Sequence, residues 1–234
     1  MARLLLASSS NLHGTGYLDH CEPWLRRLFA GLRRVLFVPH ALADREGYAA
    51  MARARFEAFG LGLDSLHAAP DPRAAVAAAE GVFVGGGNTF RLIDALQREG
   101  LIEAIAARVR AGAPYLGTSA GSNAACPTLK TTNDMPIVEP ASFAALDLVP
   151  FQINAHYQDP DPGSTHKGET REQRIAEFHE ENPTPVIGLR EGALLDVDGA
   201  RMTLEGLRGA RLFRRGRAPE ELMPGADLSF LLKR

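Results

Sequence analysis

The sequence predicts an α/β fold in which a mostly parallel β-sheet carries helices on both faces. Short apolar runs alternate with amphipathic segments through the first half of the chain. The apolar runs are continuous rather than alternating, which is typical of strands that are buried on both faces. The length of 234 residues and the apolar content of 45% suit one hydrophobic core. We therefore expect a single α/β domain over residues 1–234.

The first half of the chain is expected to contain alternating strands and helices. Strands are predicted at Leu4–Ala7, Val35–Val38, Leu63–His67, Gly81–Val84 and Tyr115–Gly117. Helices are predicted at Leu18–Leu32, Arg45–Phe59, Pro72–Glu80 and Thr89–Arg110, the last with a break at Gly100. Helical spacing in the second helix predicts that Met51, Phe56 and Phe59 pack in the core.

The second half of the chain has a less regular pattern. Short runs between 193 and 213 are separated by Asp198-Gly199 and Arg208-Gly209, which are turn signals. These runs predict some antiparallel strands near the C-terminus. Two further strands and one helix are expected at Gln152–His156, Pro185–Leu189 and Glu169–Asn182.

Composition argues against nucleic acids and membranes as partners. The formal net charge is −2, so a basic surface for nucleic acid is not expected. No apolar stretch approaches the ~20 residues that a membrane span needs, and the first apolar run ends at Ser8, too early for a signal sequence. We expect a cytoplasmic protein in which Cys21 and Cys126 are buried, reduced thiols. Homo-oligomer formation remains open.

The stretch Gly117-Thr118-Ser119-Ala120-Gly121 matches the Gly-x-Ser-x-Gly pattern of a nucleophile elbow. An elbow is a tight turn between a strand and a helix that raises one serine hydroxyl above the sheet. Gly117 and Gly121 lack Cβ atoms, so the backbone can take the strained turn and pass close to its neighbours. The pattern predicts a serine hydrolase whose nucleophile is Ser119.

A serine nucleophile needs a base, which is usually histidine. His156 is the candidate because it follows an apolar strand and opens a loop, and functional residues lie at the strand ends of parallel sheets. A metal cluster is the alternative, formed by His156, Asp159, Asp161 and His166. Its spacing fits no common zinc pattern, so neither a metal nor a cofactor is expected.

A second glycine-rich loop, Gly85-Gly86-Gly87, follows a predicted strand and opens a helix. Backbone N–H groups in such a loop can face a negative ligand. A phosphate loop is one interpretation, but the lysine of a P-loop is missing. We favour an oxyanion hole formed by Gly86 and Gly87 together with the N–H group of Ala120, the residue after the nucleophile.

Five blocks of the sequence together resemble peptidase E, the aspartyl dipeptidases among the bacterial serine peptidases. The similarity extends from the first strand to about Glu191. The blocks are Gly85–Phe90, Gly117–Asn123, Thr131–Val138, Gln152–His156 and His166–Ile175.

The resemblance implies a fold like that of class I glutamine amidotransferases and hydrolysis of small peptides with an N-terminal aspartate. It implies Ser119 as nucleophile and His156 as base. The carboxylate that orients His156 is either Glu191, which we prefer because it follows a predicted strand, or Asp134. The chain order Ser, His, Glu differs from the Ser, Asp/Glu, His order of α/β-hydrolases.

An aspartate substrate needs a cation for its β-carboxylate, and arginine offers a bidentate fork. Arg171 matches the family block and is the candidate, and Asn88 is a second expected substrate contact. Thr118 departs from the family pattern, in which a bulkier aromatic residue is expected beside the nucleophile. The resemblance therefore implies no preference for the residue that follows aspartate in the substrate. The alternatives are a hydrolase of isoaspartyl or cyanophycin-type substrates and a catalytically silent binding protein on the same fold.

Overall fold

A seven-stranded sheet forms the centre of the protein, as seen in a computed structural model that describes residues 2–161, 163, 165 and 167–233. Its strand order is β3-β2-β4-β5-β1-β8-β9. The first five strands in that order run parallel, whereas β8 and β9 are antiparallel to their neighbours. The strands are β1 (Arg3–Ala7), β2 (Arg34–Val38), β3 (Gly62–Ser65), β4 (Val82–Val84), β5 (Tyr115–Thr118), β8 (Ala193–Asp198) and β9 (Arg201–Gly206).

A second sheet of four strands has the order β11-β10-β7-β6. Strands β6 and β7 are parallel, and β10 and β11 are antiparallel additions. The strands are β6 (Gln152–Ala155), β7 (Val186–Leu189), β10 (Ala210–Phe213) and β11 (Glu220–Leu222). Ile153 and Ile187 of this sheet join the same apolar core as Leu4 and Leu6 of β1, so the two sheets are packed into one body.

Helices cover both faces of the main sheet because its strands are apolar on both sides. Leu4 and Leu6 face a core shared with α3 to α6, whereas Leu5 faces a core shared with α1 and α2. Helix α7 packs on the second sheet through Ile175. The helices are α1 (Glu22–Leu28), α2 (Arg45–Ala58), α3 (Pro72–Ala78), α4 (Thr89–Arg98), α5 (Ile102–Arg110), α6 (Ala120–Ala124) and α7 (Arg171–Glu181).

The predicted α/β fold is confirmed, including the antiparallel strands near the C-terminus. The break at Gly100 is real: its φ of +66° lies in the left-handed region and separates α4 from α5. One core prediction is wrong, because Met51 is 44% exposed and points away from the packed face of α2. The division into two sheets was not predicted.

Two further features concern the chain as a whole. Cys21 and Cys126 are free and buried, and burial raises the pKa of each thiol to about 12. Among the residues that the structure describes, no helix is long and apolar enough to cross a membrane.

Candidate active site

Ser119 lies in a strained turn between β5 and α6. Its φ of 52° and ψ of −111° are unusual for a residue with a side chain. A Cβ atom on Gly117 would lie 2.6 Å from the carbonyl oxygen of Gly121, and one on Gly121 would lie 2.0 Å from that of Val84. Both glycines are therefore required by close backbone approach, as the elbow pattern predicts.

Ser119, His156 and Glu191 form a continuous chain of short polar contacts. The Nε2 atom of His156 lies 2.9 Å from Oγ of Ser119. Its Nδ1 atom lies 2.8 Å from Oε1 of Glu191. The three residues follow β5, β6 and β7, respectively. The arrangement gives a hydroxyl, an imidazole and a carboxylate the order that nucleophilic catalysis uses.

Ser8, which follows β1, connects the two sheets beneath His156. Its buried hydroxyl donates to the carbonyl of Leu189 at 2.8 Å and accepts from the backbone N–H of His156 at 2.9 Å. His156 has a φ of 54°, a conformation that needs support from its surroundings. The serine therefore fixes the ends of β6 and β7 against the main sheet.

The glycine-rich loop after β4 lies beside Ser119. A Cβ atom on Gly86 would be 3.1 Å from Cβ of Ser119, and Gly87 has a φ of +133° that favours glycine. In the part of the chain that the structure describes, the N–H groups of Gly87 and Ala120 have no hydrogen-bond acceptor. The N–H groups of Gly86, Gly87 and Ala120 remain the predicted oxyanion donors, and the Gly86 backbone also lies by the Tyr48 hydroxyl.

Asp134 lines the cleft of Ser119 but makes no contact with His156. Its Oδ2 atom accepts from the backbone N–H and the hydroxyl of Thr89 at 2.7 and 2.6 Å, and from the hydroxyl of Thr132 at 3.0 Å. These bonds engage one carboxylate oxygen at the start of α4, where the helix dipole favours negative charge. A fixed anion thus faces the cleft.

Asn88 serves as the N-cap of α4. Its Oδ1 atom accepts from the N–H of Arg91 at 3.0 Å, and its Nδ2 atom donates to the carbonyl of Met135 at 2.8 Å. Asn88 does not line the cleft of Ser119. These bonds give Asn88 a role in fixing the start of α4, and its contact with substrate stays a prediction.

The cleft above Ser119 has a volume of about 470 Å³. Two carboxylates, Asp134 and Glu191, face it, and none of its described lining residues is lysine or arginine. The other lining residues are small, polar or apolar: Ser9, Ser10, Asn11, Tyr17, Leu42, Tyr48, Met51, Gly86, Gly87, Ser119 and His156.

Arg171, the expected reader of aspartate, lies at the start of α7 and lines a neighbouring depression with Asp161 and Arg174. No ion pair joins it to any described residue. Burial, followed by the proximity of Arg174, lowers the pKa of Arg171. Arg171 does not line the cleft of Ser119, so its contact with an aspartate substrate stays a prediction.

Sequence reasoning missed the contribution of the segment after β1 and of α2. Ser8, Ser9 and Tyr48 lie beside the candidate catalytic groups, yet none belongs to a recognisable motif. Their only signal is position, since Ser8 and Ser9 follow a buried strand whose carboxyl end lies at the same edge as that of β5. The position of Met51 beside the cleft was also missed. Its place in the apolar pattern of α2 predicted a core residue, but its side chain is exposed and lines the cleft.

One member of the alternative metal cluster, His166, lies outside the described residues. Within the ranges that the structure describes, no group of three or more His, Cys, Asp or Glu side chains is arranged to hold a metal ion. Asp159, a member of that alternative, instead forms an ion pair with Arg190.

Known proteins are similar to this chain over nearly its whole length. The chain is 57% identical over 229 residues to a protein from Streptomyces coelicolor named Peptidase E, covering 98% of this chain and 94% of that protein. It is 49% identical over 234 residues to a Drosophila melanogaster protein named probable alpha-aspartyl dipeptidase, covering 99% and 98%.

A solved structure of a peptidase from an acI-B1 Actinobacterium has the same fold. It superposes with a TM-score of 0.71 at 18% identity and covers 98% of this chain and 97% of that chain. The family model for peptidase family S51 matches residues 4–205. The resemblance to peptidase E is thus confirmed, and the chain belongs to peptidase family S51.

Proposed function

We propose that the protein is a serine dipeptidase that cleaves the bond after an N-terminal aspartate through a Ser119-His156-Glu191 triad. The observation that carries the proposal is the pair of contacts at 2.9 and 2.8 Å that join the three side chains in order. The name Peptidase E of the Streptomyces relative supports a peptidase, and the Drosophila name, probable alpha-aspartyl dipeptidase, supports aspartyl dipeptides as substrates.

The first half of the proposed reaction forms an acyl-enzyme. His156 accepts the proton of Ser119 through Nε2 while Oγ attacks the carbonyl carbon of the Asp-X bond. Glu191 accepts a hydrogen bond from Nδ1–H, which fixes the tautomer and stabilises the imidazolium that forms. His156 then donates this proton to the leaving nitrogen, the C–N bond breaks, and aspartate remains esterified to Ser119.

The N–H groups of Gly87 and Ala120 stabilise the oxyanion in both halves of the reaction. Such a donor contributes about 3 kcal/mol to transition-state stabilisation. In the second half, water attacks the ester carbonyl and gives a proton to His156. The tetrahedral intermediate collapses, Ser119 recovers its proton, and free aspartate leaves.

Charge supports a substrate with a free amino group. Asp134 and Glu191 face a cleft in which no described lining residue is a cation, so an α-ammonium group fits better than an anion there. Glu191 is engaged with His156, which leaves Asp134 to bind the α-ammonium. The aspartate side chain needs a cation, and Arg171 can supply one only if its segment approaches Ser119 when substrate binds.

A panel of dipeptides tests the proposal. Wild-type enzyme should cleave Asp-Leu with a kcat/KM at least a hundredfold above that for Ala-Leu, because removal of the β-carboxylate removes the charged contact. Preference for β-Asp-Leu would instead establish an isoaspartyl specificity. Failure to cleave any member, together with no labelling of Ser119 by a fluorophosphonate, would identify a catalytically silent protein.

A further inference from the structure

Arg190 lies at the centre of an ion-pair network beside the proposed triad. It follows β7 and immediately precedes Glu191. Its Nε and Nη2 atoms donate to both carboxylate oxygens of Asp159 at 2.7 Å, and its Nη1 and Nη2 atoms donate to Glu221 at 2.5 and 2.9 Å. The side chain is only 19% exposed. Bidentate pairs of this kind are directional as well as strong.

Asp159 lies three residues after His156, so the network joins the chain segments that carry two members of the triad. Between them, the N–H of Tyr157 donates to the carbonyl of Leu189 at 2.9 Å. The ring of Tyr157 also lies 5.8 Å from the guanidinium of Arg190. The segment after β6 is therefore held against the end of β7 by one backbone bond, one cation–π contact and one bidentate ion pair.

A second arginine contacts the chain further along, between Asp159 and the start of α7. Arg211 of β10 lies 3.1 Å from Glu172, which follows Arg171 in α7, and 3.9 Å from Asp159. The second sheet therefore contacts the segment from Asp159 to Glu172 at both ends. Hydrogen bonds from Arg190 are the main cause of a lowered pKa at Asp159, which is consistent with a persistent pair.

We propose that Arg190, through its bidentate pair with Asp159, is a positioning residue that holds His156 between Ser119 and Glu191. His156 has a φ of 54°, and release of the following segment would allow this strained conformation to relax. Relaxation would lengthen the contacts of both imidazole nitrogens. This role rests on the proposed triad and adds a positioning residue to it.

The chain offers a matched pair of variants for the test. Asp159→Asn weakens the tie between Arg190 and the segment that follows His156. Glu221→Gln removes the same charge from the same arginine, but Glu221 lies on the edge strand β11 and not on the segment that follows His156. Both carboxylates are about half exposed, at 46% and 50%, so the two substitutions should perturb stability to a similar degree.

Three readouts together separate positioning from a general structural effect. Asp159→Asn should lower kcat for Asp-Leu at least tenfold and slow fluorophosphonate labelling of Ser119 by a similar factor. It should also weaken the downfield proton resonance of the His156 Nδ1–H that faces Glu191. Glu221→Gln should stay within twofold of wild type in all three, and Asp159→Glu should recover part of the loss.

Equal losses in Asp159→Asn and Glu221→Gln would overturn the proposal, as would a rise in KM with unchanged labelling and an unchanged resonance. Failure of the proposed function is a separate result, because it would appear as a wild-type enzyme that neither cleaves Asp-Leu nor reacts with the fluorophosphonate.

Discussion

At the scale of single residues, the site depends on two side chains held in unfavourable backbone conformations. Ser119 and His156 have φ values of 52° and 54°, in a region that L-residues rarely adopt. Each such residue costs on the order of 1–3 kcal/mol. The strain persists because the backbone N–H of Ser119 bonds to Ala7 at 3.0 Å and that of His156 bonds to Ser8 at 2.9 Å. The two strained residues therefore lower the stability of the folded protein, and they bring Oγ of Ser119 within reach of Nε2 of His156.

This strain predicts an unusual order of stability at position 119. In the middle of a helix or strand, a glycine makes the folded protein less stable than an alanine would, by about 0.5–1 kcal/mol. Ser119→Gly should instead be more stable than Ser119→Ala by about 1 kcal/mol, because glycine accepts the positive φ. Neither variant loses a helix cap, since the hydroxyl forms none. Urea unfolding of both variants provides the measurement, and a more stable alanine variant would contradict the account.

Two carboxylates face the same cleft but are expected to act on different kinetic constants. Glu191→Gln should reduce kcat for Asp-Leu by about 10² to 10⁴-fold, because Glu191 contacts His156. Asp134→Asn should mainly raise KM, because Asp134 contacts no member of the triad and is proposed to bind the α-ammonium. Steady-state kinetics of the two variants would reject this division of roles if the effects were interchanged.

At the scale of elements, the site is assembled from segments at the carboxyl ends of β1, β4, β5, β6 and β7. In parallel sheets these ends meet at one edge, where loops can bring distant residues together. The unusual feature is that β6 and β7 belong to a separate sheet. The hydroxyl of Ser8 spans that division, with partners 148 and 181 residues away along the chain.

Loss of this bridge should affect activity as well as stability. Ser8→Ala leaves the buried N–H of His156 without its acceptor, while the carbonyl of Leu189 keeps only the bond from the N–H of Tyr157. The unsatisfied N–H should cost about 1–3 kcal/mol, and kcat should fall. Ser65→Ala is the control, since Ser65 is also buried, at the end of β3 in the main sheet, but its hydroxyl contacts the ring of His67 at 2.7 Å. Similar kcat values for the two variants would argue against a positioning role of Ser8.

At the scale of the whole molecule, a buried histidine links folding to pH. His40 is fully buried, and neither ring nitrogen has a hydrogen-bond partner among the described residues. Burial lowers the pKa of His40 to about 3. Glu99 lies 3.4 Å from Nε2 and would favour protonation, but its carboxylate is one third exposed, so the loss of hydration of the imidazole dominates.

The sign of the pH effect follows from proton binding. Below the ordinary histidine pKa of about 6.5, the unfolded chain binds a proton that folded His40 does not, so stability falls as the pH decreases toward 3. The contribution has a maximum slope of about 1.4 kcal/mol per pH unit. His40→Leu should reduce the slope of the unfolding free energy between pH 6 and 4 relative to that of the wild type, as measured by urea unfolding at each pH. A steeper slope in His40→Leu would show that Glu99 dominates.

The sequence predicts those parts of the site that are local in the chain. Close backbone packing explains the glycine pattern around Ser119, and His156 and Glu191 follow strands that apolar runs reveal. Contacts between distant segments leave no such pattern. Ser8 acts on residues more than a hundred positions away, and the exposure of Met51 depends on the cleft beside α2. Arg171 matches a family block, yet its distance from the cleft is a property of tertiary packing.

The central claim is that Ser119 is the nucleophile of an aspartyl dipeptidase. Turnover of Asp-Leu by wild type and by Ser119→Ala, measured in parallel on folded protein, tests it most directly. The account predicts efficient release of aspartate by wild type and a loss in kcat of at least about 10⁴-fold in the variant. Turnover by Ser119→Ala within tenfold of wild type would contradict the account.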